Sequence, residues 1–214
     1  MSNGVPCEQT PPTPPPLSTG SIVISWIKDV LETILPALLI VLVVNAFLAQ
    51  ATRVEGQSME PTLHNNQRLV IEKVSYRFHP PRRGDIVVFR LPNQYVPPLT
   101  ERVAAMIRTV LTRSHTAAWP DPLIKRVIGL PGETVEIREG RVYINGVQLA
   151  EPYETQLTLP DLGPRVIAPG HVFVLGDNRG GSNDSRAFGE VPLSDIIGRA
   201  WFRYWPVEQI GLLR

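Results

Sequence analysis

The sequence is nearly without cysteine: Cys7 stands alone among 214 residues. One thiol cannot close a disulfide within the chain, and it leaves no Cys-based metal site. Charge of either sign is not in excess, since 21 basic and 20 acidic residues give a formal net charge of +1. With no basic stripe interleaved with aromatics and no zinc-finger spacing, the reading is of a protein with no nucleic-acid partner. Histidine is scarce too. His64, His79, His115 and His171 occur singly, outside any HExxH-like spacing, and read as surface or loop residues rather than ligands. No internal repeat is visible.

What is present is unevenly placed. Residues 1–21 are rich in Pro, Thr and Ser, with Pro11, Pro12, Pro14, Pro15 and Pro16 almost consecutive. Such a stretch lacks the apolar side chains that offset ordering entropy, so it reads as an extended, disordered tail. A PxxP ligand for a partner domain is the functional alternative. From Ile22 the character changes. Ile27, Val30, Leu31 and Ile34 recur at helical spacing around Lys28, Asp29 and Glu32, and Ile34 to Ala49 is apolar apart from Asn45. A helix of about 20 residues, rising ~1.5 Å each, spans a hydrocarbon core of ~30 Å. Residues 22–50 are therefore expected to form one transmembrane helix, which tolerates a kink at Pro36. A cleaved secretory signal competes with this reading. The apolar part starts late, follows no basic cluster and is preceded by Asp29 and Glu32, which favours a retained anchor. Lys28 and Arg53 flank it too weakly to orient it by charge.

A short polar link, Gln50 to Val54, leads from that helix into residues 51–214, which continue as short strands. Arg68 to Val74 and Asp85 to Leu91 are β-forming and are separated by Pro80, Pro81 and Gly84. Ile124 to Leu130 and Thr134 to Arg138 follow, divided by Pro131-Gly132. Arg141 to Asn145 then begins a hairpin, since Asn145-Gly146 is a two-residue turn signal before Val147 to Leu149. Val172 to Leu175 and Ala200 to Trp205 complete a mainly β, antiparallel domain. The exception is an insertion at about 92–121. Within it Val103, Met106, Ile107, Val110 and Leu111 recur at helical spacing between Leu99 and Arg113. Contact with a membrane surface and packing on the sheet are both open for that helix.

Three segments carry candidate chemistry. Ser58 lies in Gly56-Gln57-Ser58-Met59, outside a GxSxG elbow, and a serine hydroxyl needs a base within hydrogen-bond reach. Lys125 and Arg126 sit inside the apolar strand Leu123 to Gly129, where alternation turns them to opposite faces. One cation should therefore meet apolar surroundings. An ordinary lysine, with a pKa of ~10.4, is a useless base near neutrality, but burial can lower that value by up to ~3–5 units. Lys125 thus reads either as a general base for a serine or as a snorkelling or salt-bridged edge-strand lysine. The third segment, Gly176 to Gly189, is a Gly/Asn/Asp/Ser loop in which Asp184 and Arg186 can pair and Ser182 offers a hydroxyl. Arg179 and Arg186 interrupt the carboxylates, so the calcium-loop pattern fails and an ordered loop supporting a site is the better reading.

In this order, EGQSMEPTL, RLVIEKV with RRGDIVVFR, IKRVIGLPGE and LGDNRGGSNDSRAFGEVP resemble the motifs of the type I signal peptidases, the bacterial leader peptidases of the serine/lysine class, peptidase family S26. They cover most of residues 54–205. The resemblance implies a mainly β, antiparallel catalytic domain of the signal peptidase/repressor-peptidase type with one N-terminal transmembrane helix. It implies a single-pass protein of the cell membrane, N-terminus cytoplasmic and catalytic domain on the extracytoplasmic face. Its partners would be the lipid bilayer and, near the translocon, preproteins whose signal peptides end in an extended region with small residues. It calls for no metal or organic cofactor.

By the same resemblance Ser58 is the acyl-forming nucleophile, with its own backbone N–H as oxyanion donor, and Lys125 is the general base. Met59 packs beside the nucleophile, Ser182 orients the lysine amine, Asp184 and Arg186 form a bracing ion pair, and Arg126 is the basic neighbour of Lys125. Gly56 stands where many members carry a serine hydroxyl, so the second oxyanion donor is open. Two rivals are weighed against this reading. A self-cleaving repressor-type Ser/Lys peptidase would carry a DNA-binding helical domain where this chain has a Pro-rich tail and an apolar helix. A catalytically inactive, membrane-anchored binding protein would not need every catalytic position filled.

Overall fold

The computed structural model describes residues 19–91, 98, 100–101, 122–153 and 160–213. Most of the expected tail, the helix expected over Leu99 to Arg113 and nearly all of the insertion lie outside the described residues. The chain divides after Val43 into two units.

The first unit holds helix α1 (Thr19–Val43), 25 residues with Pro36 inside. Thr33 Oγ1 donates to Asp29 O at 2.8 Å, and Lys28 pairs loosely with Glu32 one turn on. The bilayer-crossing helix expected over 22–50 is not found in that form. Among the described residues no helix is long and apolar enough to cross a membrane. The physical reason lies in both ends of the segment. Lys28, Asp29 and Glu32 occupy the first half of α1, and the regular helix stops at Val43, before the apolar run does. Val44–Leu48 is a π-helical turn, and Ala49 already belongs to a strand.

That strand, β1 (Ala49–Arg53), replaces the polar link read from the sequence. Its residues AQATR show no apolar alternation because it is a half-exposed edge, held by pairing with β2 (Arg68–Glu72) from Ala49↔Glu72 to Arg53↔Arg68. The other strands are β3 (Ile86–Phe89), β4 (Leu123–Gly129), β5 (Thr134–Arg138), β6 (Arg141–Ile144) and β7 (Val147–Gln148). They continue with β8 (Leu162–Val166), β9 (His171–Leu175), β10 (Val191–Pro192), β11 (Ile196–Trp205) and β12 (Gly211–Leu212). One sheet runs β1-β2-β11-β3-β4-β9-β10, with β12 on β11; a second runs β7-β6-β5-β8. Every pairing is antiparallel.

The period of two explains how the larger sheet is packed. Along β3, Ile86 and Val88 enter one core with Val54, Met59, Leu63, Leu69 and Ile71, whereas Val87 and Phe89 enter another with Val127, Val172, Val174 and Val191. Both faces are covered, which is why β3 reads as an unbroken apolar run. The small sheet packs Val135, Ile137, Val142 and Ile144 against Ile128, Phe173 and Leu175. The predicted Asn145-Gly146 turn is present between β6 and β7, with φ of 52° and 79° as a hairpin turn of this kind requires. Glu139-Gly140, at φ 50° and 73°, turns β5 into β6 in the same way.

Candidate active site

The loop after β1 is pinned at both ends. Val54 N donates to Gln67 O at 2.8 Å and Asn66 N donates to Val54 O at 2.9 Å. Gly56 has φ +89°, a left-handed conformation that strains any residue with a Cβ, and nothing else crowds it. Its N–H is taken by Asn65 Oδ1 at 3.1 Å. Two residues after Ser58's neighbour Gln57, Met59 drops into the core at 2% exposure, and Leu63 follows it, donating through its N–H to Met59 O at 2.8 Å. Burying a side chain of this size is worth about 1.5–3 kcal/mol. Ser58 is thus held half-buried between Gly56 and a residue anchored in the core.

Lys125 reaches it from β4, whose register sets Lys125 opposite Val87. Lys125 Nζ lies 2.6 Å from Ser58 Oγ, in hydrogen-bond contact, and donates to Ile124 O at 3.0 Å. The expectation that one of the two cations meets apolar surroundings understates the burial: Lys125 is 3% exposed and Arg126 2%. Burial pushes the Lys125 amine down to about 8, against the opposing pull of Asp184 and Asp177. Near pH 8 about half of the amines are then neutral, as a base for a hydroxyl must be.

Arg126 turns away from Ser58 into a buried pair. Its guanidinium grips Asp177 with two bonds, Nε to Oδ1 at 2.8 Å and a terminal nitrogen to Oδ2 at 2.6 Å. It also donates to Gly84 O at 2.9 Å and stacks on Tyr153, 3.9 Å from the ring centre. The loop after β9 carries the rest. Asp184 accepts from Gly176 N at 3.1 Å and from Arg186 Nε at 2.7 Å, and it caps helix α2 (Ser185–Phe188), so the expected Asp184–Arg186 pair is present. Arg179, also buried, donates to Gly176 O and pairs with Glu151.

The expected contact between Ser182 and the Lys125 amine is absent among the described residues. Ser182 Oγ is buried with no hydrogen-bond partner there, and Lys125 Nζ donates to the Ile124 carbonyl. The Ser182 hydroxyl fills the space above Gly176, where a Cβ would come within 2.2 Å of it and within 2.4 Å of Ser58 O. Gly176 is therefore glycine because two parts of the site converge on its backbone.

Sequence reasoning missed Asn178, Asp177, Glu151 and Tyr153. Asn178 N donates to Ser58 O at 3.1 Å, and its side-chain Nδ2 donates to Gln57 O at 3.1 Å. Asp177 and Arg179 could have been suspected, since charges directly following the buried strand β9 need partners.

Ser58, Met59 and Lys125 line one groove with Thr52, Val54 and Ile124. It runs between two strand edges. Among the described residues β1 pairs only with β2, and Leu123 to Lys125 pair only with β3, because β9 joins β4 from Arg126 onward.

Beside this serine–lysine pair in its groove stands what the chain is similar to. The family model described as "Signal peptidase, peptidase S26" matches residues 25–205. A signal peptidase I from Leptolyngbya laminosa is 40% identical over 208 residues, 97% of this chain and 94% of that protein. A chloroplastic thylakoidal processing peptidase 1 from Arabidopsis thaliana is 35% identical over 164 residues, 77% of this chain and 44% of that protein. A crystal structure of a signal peptidase I from Enterococcus faecalis is 31% identical, covering 56% of this chain and 97% of that one at a TM-score of 0.41. With its catalytic-type motifs in order along nearly the whole matched length, the chain belongs to the signal peptidase family, peptidase S26.

Proposed function

We propose that this chain removes N-terminal signal peptides from exported preproteins, with Ser58 as nucleophile and Lys125 as general base. The observation that carries this reading is the 2.6 Å contact between Lys125 Nζ and Ser58 Oγ, made by an amine that burial brings to about 8. The end of the signal peptide would lie extended between β1 and the first half of β4, bonding main chain to main chain. Small residues before the cut would fit the shallow floor near Met59.

Neutral Lys125 takes the Ser58 proton as Oγ attacks the scissile carbonyl. The oxyanion is met by the Ser58 N–H, which has no acceptor among the described residues. Lys125 then gives the proton to the leaving amine, the peptide bond breaks, and an ester links the signal peptide to Ser58. Water, giving a proton to the same amine, attacks the ester; as the bond to Oγ breaks, the Lys125 ammonium returns that proton to Oγ, freeing the serine and the signal peptide's carboxylate. Gly56 offers no hydroxyl as a second donor, and its N–H is already held by Asn65. Every part of the dyad is in contact, which favours turnover over an inactive binding role.

The reading extends to location: an anchor in the cell membrane near the translocon, N-terminus cytoplasmic, catalytic domain extracytoplasmic. It is supported by the apolar residues that α1 leaves in the open, with Leu31, Leu35, Leu39 and Ile40 each about 60% exposed. The test is processing of a signal-bearing precursor by the full chain in detergent. Ser58→Ala and Lys125→Ala should each leave no measurable cleavage at the wild-type site. Cleavage near the wild-type rate by either variant sinks the assignment.

A further inference from the structure

We propose that Asn178 is a positioning residue for acylation: it locks the peptide plane that carries the Ser58 N–H. This rests on the reading of Ser58 as nucleophile and of its N–H as oxyanion donor. The C=O of Gln57 and the N–H of Ser58 belong to one planar peptide unit and point in opposite directions. Whatever holds the carbonyl therefore aims the N–H. Asn178 Nδ2 donates to that carbonyl at 3.1 Å, from the far side of the loop. Its backbone N–H donates to the next carbonyl, Ser58 O, also at 3.1 Å. One residue thus fixes both peptide planes flanking the nucleophile, and with them the backbone torsions that set where its Cα–Cβ bond points.

The clamp is itself rigid. Asn178 Oδ1 accepts from Gly181 N at 3.2 Å, so the side-chain amide cannot rotate without losing the turn Arg179–Gly181. A Cβ at Gly181 would meet Nδ2 at 2.9 Å, and one at Gly176 would meet Ser58 O at 2.4 Å. Both glycines leave room for the clamp to close. Chemistry adds to geometry: a hydrogen bond to the Gln57 carbonyl polarises the amide and strengthens its N–H as a donor. Gly56 supplies no hydroxyl and its N–H is held by Asn65 Oδ1, so the aim of a single donor counts for more.

Asn178→Ser separates clamp from turn. Serine is neutral and still caps Gly181 N, but it is too short to reach Gln57 O. Asn178→Ala removes both roles. Full-length variants in detergent would be assayed on a fluorogenic peptide with small residues at the first and third positions before the cut, and with the matching peptide aldehyde. The aldehyde adds to Ser58 Oγ and places an oxyanion where the donor sits, so it reports the donor directly. Rates would be normalised to the folded fraction, measured by thermal unfolding.

For Asn178→Ser, kcat should fall about 10- to 100-fold, below the full loss of an oxyanion donor. The aldehyde Ki should weaken by a similar factor, while KM and the midpoint of the pH profile stay in place. A kcat within threefold of wild type, a kcat loss without matching weakening of the aldehyde, or a shifted pH midpoint would each overturn the inference. Ser58→Ala run in parallel keeps the two readings apart. Activity in that variant defeats the nucleophile assignment, whereas its inactivity beside an unaffected Asn178→Ser defeats only the clamp.

Discussion

At the scale of single residues, the site depends on keeping one amine dry. Lys125 sits at about 8 because burial disfavours its ammonium. On the proposed mechanism, kcat/KM rises with pH through about 8 and levels off above about 9, rather than climbing toward 10.5. A pH–rate profile on a peptide without titratable side chains checks this. The same shift sets a sign for stability. The unfolded lysine keeps its proton to 10.5 and the folded one loses it near 8, so between these values the unfolded chain binds more protons and stability rises with pH. Below about pH 8 the folded protein carries the cost of a buried ammonium. Lys125→Met should therefore abolish cleavage and yet stabilise the protein at pH 7 by on the order of 2 kcal/mol. Thermal melts of both proteins at pH 7 and pH 10 should show the difference shrinking at the higher value.

At the scale of elements, the β9–α2 loop is held by charges that solvent hardly reaches. Arg126 and Asp177 are 2% and 0% exposed, so removing Arg126 leaves the Asp177 carboxylate buried without its guanidinium. Arg126→Met should cost about 3–5 kcal/mol, and Arg126→Met with Asp177→Asn should recover much of it, because no charge is then left buried alone. Denaturant titration of the single and double variants decides. Legibility in the sequence follows the same division. β3 could be read because IVVF is an unbroken run of β-formers, β4 because LIKRVIG sets its two cations among them, and the turn at Asn145-Gly146 because its chemistry is local. β1 could not, since AQATR forms a strand only through β2. β8 hides for a similar reason, carrying Gly163 and Pro164 in an exposed edge. Ser58 and Lys125 stood out through family resemblance, whereas their 67-residue separation says nothing by itself. Asn178 was invisible because its target is a main-chain carbonyl, an acceptor that every residue offers.

At the scale of the whole molecule, the two units are built for different surroundings. The domain from Val44 onward buries its apolar residues between strands, whereas α1 displays Trp26, Ile34, Leu38 and Leu39. On the proposed anchoring, the full chain stays with membranes through an alkaline wash. Leu35→Asp with Leu39→Asp should release it, since each charge adds about 2.5–3.5 kcal/mol at the centre of an inserted helix. Immunoblots of pellet and supernatant give the answer. The buried ion pairs have one more effect at this scale. Arg126 finds Asp177 only when β4 and the loop after β9 have come together, and Arg179 finds Glu151 only when that loop meets the segment around Glu151, whereas Arg186 meets Asp184 within the loop itself. A half-assembled chain has these charges but no positioned serine. On the proposed mechanism, a chain in which β4 has not yet packed lacks the Lys125 amine beside Ser58, so cleavage should appear only with the assembled sheet.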